Sequence, residues 1–487
     1  MSLSPENPVF TAPDLTRRTV LRRAAAASLL ALPAVGLLDA CATGGGSTPT
    51  NQNSGGAKSA TNPLGVDPKA PLEVVIFNGG YSDGYATKIH VPLYQKAFPD
   101  AKVSESKTEE ISTTLQPRFA GGTPPDVVDN SGSKSMDFGA LVADGQLLDL
   151  TELLAAPSVD DPSKTVKDSL LPGTVEVGTY SDKSGANPKP YVLNYVYTVY
   201  GLWYNAKLFQ TKGWTLPKTW AEFTTLLGTI KAAGITPYGY AGANASYYQY
   251  LVILSSAAKL GGADILKNID NLQPGAWTND AVKQSATAWA EVGAKWTDKS
   301  FLGLKHTEVQ LKQDQDKVAF YPSGNWLESE QKASTPATFN YAMIPLPGLT
   351  AADKLDQTSL YAAAGEPFFV SAKGKNPKGG AEYLRQMMSK AGAKGFTQET
   401  GSLTAVQTDT AGLTLPPGLT SSSAALAAAK TTFYYLFDSW YKELDTELRA
   451  ATNELFYGGG TADKFCTRMQ AKADAISKDS SVTKFKR

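Results

Sequence analysis

Apolar and polar positions follow two alternating patterns through the first half of the chain. Leu72–Phe77 is a continuous apolar run apart from Glu73, of strand length, and it opens into Asn78-Gly79-Gly80-Tyr81-Ser82-Asp83-Gly84. A run apolar on both faces is the pattern of a buried parallel strand. A helical period around Ile89–Phe98 follows, then a strand near Ala101–Ser106 and a helix over Ile111–Phe119 closed by Gly121-Gly122. Val127-Val128 is again short and apolar, and opens into Asp129-Asn130-Ser131-Gly132. The order β-α-β-α-β predicts the α/β class. In open α/β sheets ligands sit beyond the carboxyl ends of the strands. Tyr81 and Asp83 on one such loop, and Asp129, Asn130 and Ser131 on another, are therefore candidate ligand contacts. Turn capping is the competing role for the last three.

Tyr191–Asn205 is the densest apolar-aromatic stretch. It exceeds the ordinary strand length of about three to ten residues, so it is either two paired strands or one strand passing between two sheets. We read it as the first crossing between two lobes. Thr219 and Glu222 form a capping box ahead of Phe223, Leu226, Leu227 and Ile230, one buried helix stripe. Gly239–Tyr250 mixes small residues with tyrosines, unusual for pure core, which makes Asn244, Tyr247 and Tyr248 candidates. Val318–Glu328 reads as a strand, a Pro-Ser-Gly turn and a helix start, with Asn325 as N-cap and Glu328 completing a second capping box. That puts Trp326 in the first helical turn, where its ring either walls a pocket or plugs the joint. Glu366 is a lone carboxylate among apolar and small residues; if buried it needs a salt bridge or ligand hydroxyls. Phe433, Phe437, Trp440, Tyr441, Leu444 and Leu448 recur at helical spacing and predict one core-facing stripe.

Charge and chemistry narrow the function. Lys plus Arg and Asp plus Glu are each 46, so there is no excess of basic charge for nucleic acid. Two His and two Cys leave little material for a metal site, and no metal or cofactor is expected. Gly80–Gly84 matches G-x-S-x-G, but it follows the first strand of the folded body, whereas a hydrolase elbow needs several strands before it. With 22 Tyr and 8 Trp, the chain is rich in rings that join an apolar face to a polar handle, suited to ligands that are part apolar and part hydroxylated. Residues 16–23, Thr-Arg-Arg-Thr-Val-Leu-Arg-Arg, match a twin-arginine export signal. The apolar run Ala24–Leu38 is too short to span a membrane comfortably, and it ends in Leu38-Asp39-Ala40-Cys41, which resembles a lipobox apart from Asp39. Residues 1–40 are thus expected to be a signal peptide, Cys41 the lipidated residue, and residues 41–69 a Gly/Ser/Thr-rich tether. Cys466 is left as a lone thiol on a C-terminal helix.

These features, with "PKTWAEF" at Pro217 and "VAFYPSGNW" at Val318, resemble the extracellular solute-binding proteins of ABC sugar importers, the maltose-binding-like family. The phrases "LQPRFAGGTPPDVVDNSG" at Leu115, "YVYTVYGLWYNAKLF" at Tyr195, "NWLESE" at Asn325 and "GEPFFV" at Gly365 resemble more closely the N-acetylglucosamine- and N,N′-diacetylchitobiose-binding lipoproteins of actinobacterial importers. The resemblance implies a two-lobed periplasmic-binding-protein-like fold with a hinge and discontinuous lobes, 70–196 plus 364–405 and 197–363 plus 406–487. It implies a small carbohydrate in the cleft, stacked on Trp326 and Trp440, and delivery by a monomer to ABC permease subunits in the membrane, with no catalysis. The alternatives are another mono- or oligosaccharide, a secreted glycosidase using Asp129 and Glu366 across the cleft, or a surface adhesion module.

Overall fold

The computed structural model describes residues 55–171, 173–181, 186–407 and 412–487. The expected signal peptide, Cys41 and the start of the tether lie outside the described residues. The later part of the expected tether is packed, not free. Asn62 clamps Val66 with two 2.8 Å hydrogen bonds, and Leu64 and Val66 are buried. Their apolar side chains find a place in the core.

One sheet organises the body. Its strands run in the order Val103–Thr108, Leu72–Phe77, Val127–Asp129, Leu360–Val370, Val192–Asn205, Val318–Gly324, Thr236–Tyr238. The first three are parallel, as the continuous apolar runs predict. Val103–Thr108 is the edge strand, and its alternating Ser, Glu and Lys keep that edge polar. Leu360–Val370 and Val192–Asn205 run antiparallel to each other through the middle.

The long aromatic stretch is a single strand of 14 residues, and it passes between two sets of partners. Val192–Val199 pairs with Leu360–Val370, and Tyr200–Trp203 pairs with Val318–Gly324. At the change of partner, the Asn325 side chain takes the place of a neighbouring strand. It accepts from Val199 N at 3.2 Å and donates to Tyr197 O at 3.1 Å. The expected Asn325–Glu328 capping box is therefore absent. The helix Leu327–Gln331 has no side-chain cap, because Asn325 is spent on the crossing strand and Glu328 accepts from Gly418 N and Leu419 N. The Thr219–Glu222 box does form.

The expected late helix stripe is broken. Phe433 belongs to a short strand, Phe437–Trp440 is a single turn, and a separate helix spans Lys442–Phe456. Asp270 accepts from both Leu436 N and Phe437 N, and Tyr441 leaves helical geometry at φ −133°, ψ 82°. Two hydrophobic cores result. One gathers Val74, Ile76, Tyr85, Tyr195, Phe368 and Phe396; the other gathers Trp203, Phe223, Trp289, Phe320 and the opposite face of the first strands. Trp326 packs against both.

Candidate functional site

Two contiguous cavities of about 260 and 650 Å³ meet at a waist formed by Ser131, Gly132, Tyr247, Trp326 and Glu366. The larger is also lined by Tyr81, Asn244, Tyr248, His306 and Glu330; the smaller by Asn130, Tyr361, Asp438, Lys442 and Arg449. The strand ends thus bring Trp326, Glu366, Asn130, Ser131, Tyr81, Asn244, Tyr247 and Tyr248 to one groove, with Asp129 directly behind it.

Trp326 sits just past the carboxyl end of Val318–Gly324, where the indole is partly exposed. Its Nε1 donates to Tyr248 Oη at 2.8 Å. Two glycines give it room. A Cβ at Gly324 would fall 2.0 Å from the ring, and one at Gly80 would fall 3.2 Å from Trp326 Cβ. The Gly80 loop therefore approaches the tryptophan rather than carrying a nucleophile.

Asp129 and Glu366 lie on adjacent strands and hydrogen-bond each other. Asp129 also accepts from Tyr85 Oη at 3.0 Å and Ser131 Oγ at 2.5 Å. Glu366 holds a left-handed backbone, φ +53°, a conformation that costs a non-glycine residue about 1–3 kcal/mol. Burial raises both pKa values, and for Glu366 the neighbouring Asp129 charge adds to the rise. Glycosidase carboxyls flank the scissile bond about 5–9.5 Å apart, whereas these two are in contact. The pair cannot straddle a substrate.

The opposite wall carries groups that the sequence reading missed. Asp438 is partly exposed and accepts from Ser439 N at 2.8 Å; among the described residues it makes no ion pair. Burial pushes its carboxyl up to about 7, with Asp445 adding to the shift. Arg449 is committed to Asp445 at 2.9 Å and lies over the Tyr247 ring at 4.8 Å. His306 Nε2 donates to Glu330 Oε1 at 2.9 Å, and its Nδ1 accepts from Asn244 Nδ2 at 2.9 Å. Burial would lower the His306 pKa, but the Glu330 carboxylate outweighs it and holds the imidazole above its ordinary value. The one signal for Asp438 was a lone acid within an aromatic run, whereas Glu366 stood out as a lone carboxylate among apolar and small residues.

Two candidates lie outside the groove. The Trp440 indole is buried against Phe485, stacked at 5.4 Å and 27°, because the single turn that offers Asp438 and Ser439 to the cavity carries Trp440 away from it. Asp83 is engaged by Lys107 at 2.9 Å and Ser82 at 3.1 Å. Neither borders the cavities.

The matches to known proteins fit a binding cleft. The family model of bacterial extracellular solute-binding proteins covers residues 78–394. The chain is 36% identical over 485 residues to the diacetylchitobiose binding protein NgcE of Streptomyces coelicolor, covering 97% of this chain and 98% of that protein. A multiple sugar-binding protein of Streptococcus mutans is 23% identical over 323 residues, 64% of this chain and 70% of the relative. Among solved structures, a chitin oligosaccharide binding protein superposes with a TM-score of 0.67 at 20% identity, over 83% of this chain and 98% of that one. A structure from work on xylan utilisation by Caldanaerobius polysaccharolyticus gives a TM-score of 0.69 at 20% identity, over 82% and 99%. The two-lobed fold is common to them. The groove with its aromatic floor fits a site that holds a solute, and the chain belongs to the family of bacterial extracellular solute-binding proteins.

Proposed function

We propose that the groove captures N-acetylglucosamine or short chito-oligosaccharides and that the loaded protein hands them to an ABC permease. The observation that carries this reading is the Trp326 indole at the waist, in contact with both cores. A pyranose has an apolar C–H face for the ring and a rim of hydroxyls for Asp438, Glu330, Asn130 and Ser131. A ligand at the waist touches Ser131 and Glu366 from one expected lobe and Tyr247 and Trp326 from the other, so its binding energy biases a hinge. Tyr247 and Tyr248 offer an apolar niche for an N-acetyl group. The two connected cavities suit more than one sugar ring, and the relative named for diacetylchitobiose supports the same ligand class.

The moving parts in this reading are lobes 70–196 plus 364–405 and 197–363 plus 406–487. A twin-arginine signal would export the chain, lipid at Cys41 would hold it at the outer face of the membrane, and it would work as a monomer. Calorimetry against N-acetylglucosamine, its dimer, maltose and cellobiose tests the ligand. Micromolar affinity, about −8 kcal/mol, is expected for the amino sugars. Ligand at about 100 Kd then adds about 2.7 kcal/mol of stability. A melting shift with maltose and none with amino sugars would replace the ligand assignment.

A further inference from the structure

At the waist of the groove Glu366 meets Asp129 behind it, and among the described residues neither makes an ion pair. Asp129 ends the strand Val127–Asp129, and Glu366 interrupts the neighbouring strand Leu360–Val370 in its left-handed conformation. Ionised carboxylates offer only acceptors, so a hydrogen bond between them requires a proton. Their other partners decide where it sits. Asp129 already accepts from Tyr85 and Ser131, which suits the ionised form. Glu366 borders both cavities.

We propose that Glu366 faces the ligand as a neutral carboxylic acid whose O–H is held by ionised Asp129, so that its carbonyl oxygen accepts from a hydroxyl or amide N–H of an uncharged sugar. Asp129 is then a positioning residue, because it fixes which oxygen of Glu366 is presented. The charged and titratable groups around the pair agree with this. Asp129 and Ser131 face Glu366 from one strand end; Tyr81 and Tyr85 from the loop after Leu72–Phe77; Tyr247 and Glu330 from the far wall; and Tyr383 lies behind Asp129. None is a cation. Burial and the Asp129 charge hold the Glu366 proton on well above the ordinary carboxyl range. When it leaves, two adjacent negative charges repel, and the presented oxygen is lost.

The inference rests on the sugar-binding reading, and the experiment separates the two. Calorimetry with N,N′-diacetylchitobiose is run from about pH 6 to about pH 9 on the full chain and on Glu366→Gln, Glu366→Ala and Glu366→Gly. Glutamine reproduces the protonated acid: its N–H₂ donates to Asp129 and its C=O faces the ligand. Wild-type affinity is expected to fall as pH rises relative to that of Glu366→Gln. Glu366→Ala is expected to bind roughly tenfold more weakly throughout. Glu366→Gln should regain most of that loss and show no fall attributable to residue 366. His306 and Asp438, which also border the groove, are intact in every variant, so any pH dependence left in Glu366→Gln belongs to them. Glu366→Gly relieves the backbone strain and keeps the comparison available if Glu366→Ala fails to fold. A wild-type pH dependence no different from that of Glu366→Gln, or a Gln variant as weak as the Ala variant, overturns the inference alone. No binding of any amino sugar by the wild type at any pH overturns the sugar-binding reading and this inference with it.

Discussion

Two aspartates on one wall of the groove, Asp438 and Asp445, have opposite fates. Burial would raise the Asp445 pKa, but Arg449 at 2.9 Å, Lys442 at 3.5 Å and Tyr250 Oη at 2.7 Å hold it below the ordinary value. Among the described residues Asp438 has no such partner, and burial carries it to about 7. The same contrast divides Glu382 from Glu366. Glu382 is fully buried, yet Arg385 meets it with two hydrogen bonds of 2.8 and 2.9 Å, and Gln386 adds a third. Glu366 meets only another carboxyl and hydroxyls. For Glu382 and Asp445 the same helix supplies a cation one turn away, at i+3 for Arg385 and i+4 for Arg449. For Asp438 and Glu366, among the described residues, that cation is missing and the site is left for a ligand to complete.

Breaking the structural class gives the largest effect. Glu382→Ala leaves the Arg385 guanidinium buried and uncompensated, and should cost about 3–5 kcal/mol in denaturant unfolding while hardly changing ligand affinity. A loss under about 1 kcal/mol would remove the distinction between the two classes. Trp326→Ala should do the reverse. The ligand Kd is expected to rise about a hundredfold, near 2.7 kcal/mol. Its stability loss should be smaller, because the indole is only partly buried.

Asp438→Asn sharpens the division through pH. The folded pKa, about 7, lies above the ordinary 3.8. As pH rises between these values the unfolded chain ionises first, so the folded state loses stability across that window and the penalty is complete above about 7. Asparagine removes the penalty. The ligand-free variant should match wild type near pH 4 and exceed it by roughly 1–2 kcal/mol at pH 8, a figure reduced for the partial exposure of the side chain. Affinity should fall about tenfold, since a charge-assisted bond to the ligand becomes neutral. Equal loss of stability at both pH values would mean that Asp438 already has a partner within the fold.

What the sequence disclosed follows the same line between local and distant partners. The parallel strands were legible because burial on both faces leaves a continuous apolar run, as in Leu72–Phe77 and Val127–Asp129. Trp326 was legible because a strand end and a turn place it at the sheet's carboxyl edge. Trp440 was not, since its place depends on Phe485, and Asp83 was not, since it depends on Lys107. Asp438 was hidden in a segment that reads as one helix until Asp270, far away in the chain, takes its amides.

Glu222 and Glu328 make the smallest and cleanest test. Each stands three residues after a good N-cap residue, so local pattern gives them the same role. Glu222 fills it, accepting from Thr219 N at 3.2 Å. Glu328 instead reaches Gly418 N at 2.9 Å and Leu419 N at 3.3 Å, at the start of the helix Pro417–Ala428. A carboxylate at a helix N-terminus is stabilising there through the unpaired N–H groups and the helix dipole. Glu328→Ala should therefore cost about 1 kcal/mol, and Glu222→Ala about 0.5 kcal/mol. Amide hydrogen exchange tells the two apart. Glu328→Ala should expose the amides of Gly418 and Leu419, while Glu222→Ala should loosen only the first turn of Trp220–Ala232. Faster exchange at Asn325 with Gly418 unchanged would mean that Glu328 serves its own helix after all, and that the local signal outranks the distant one at this joint.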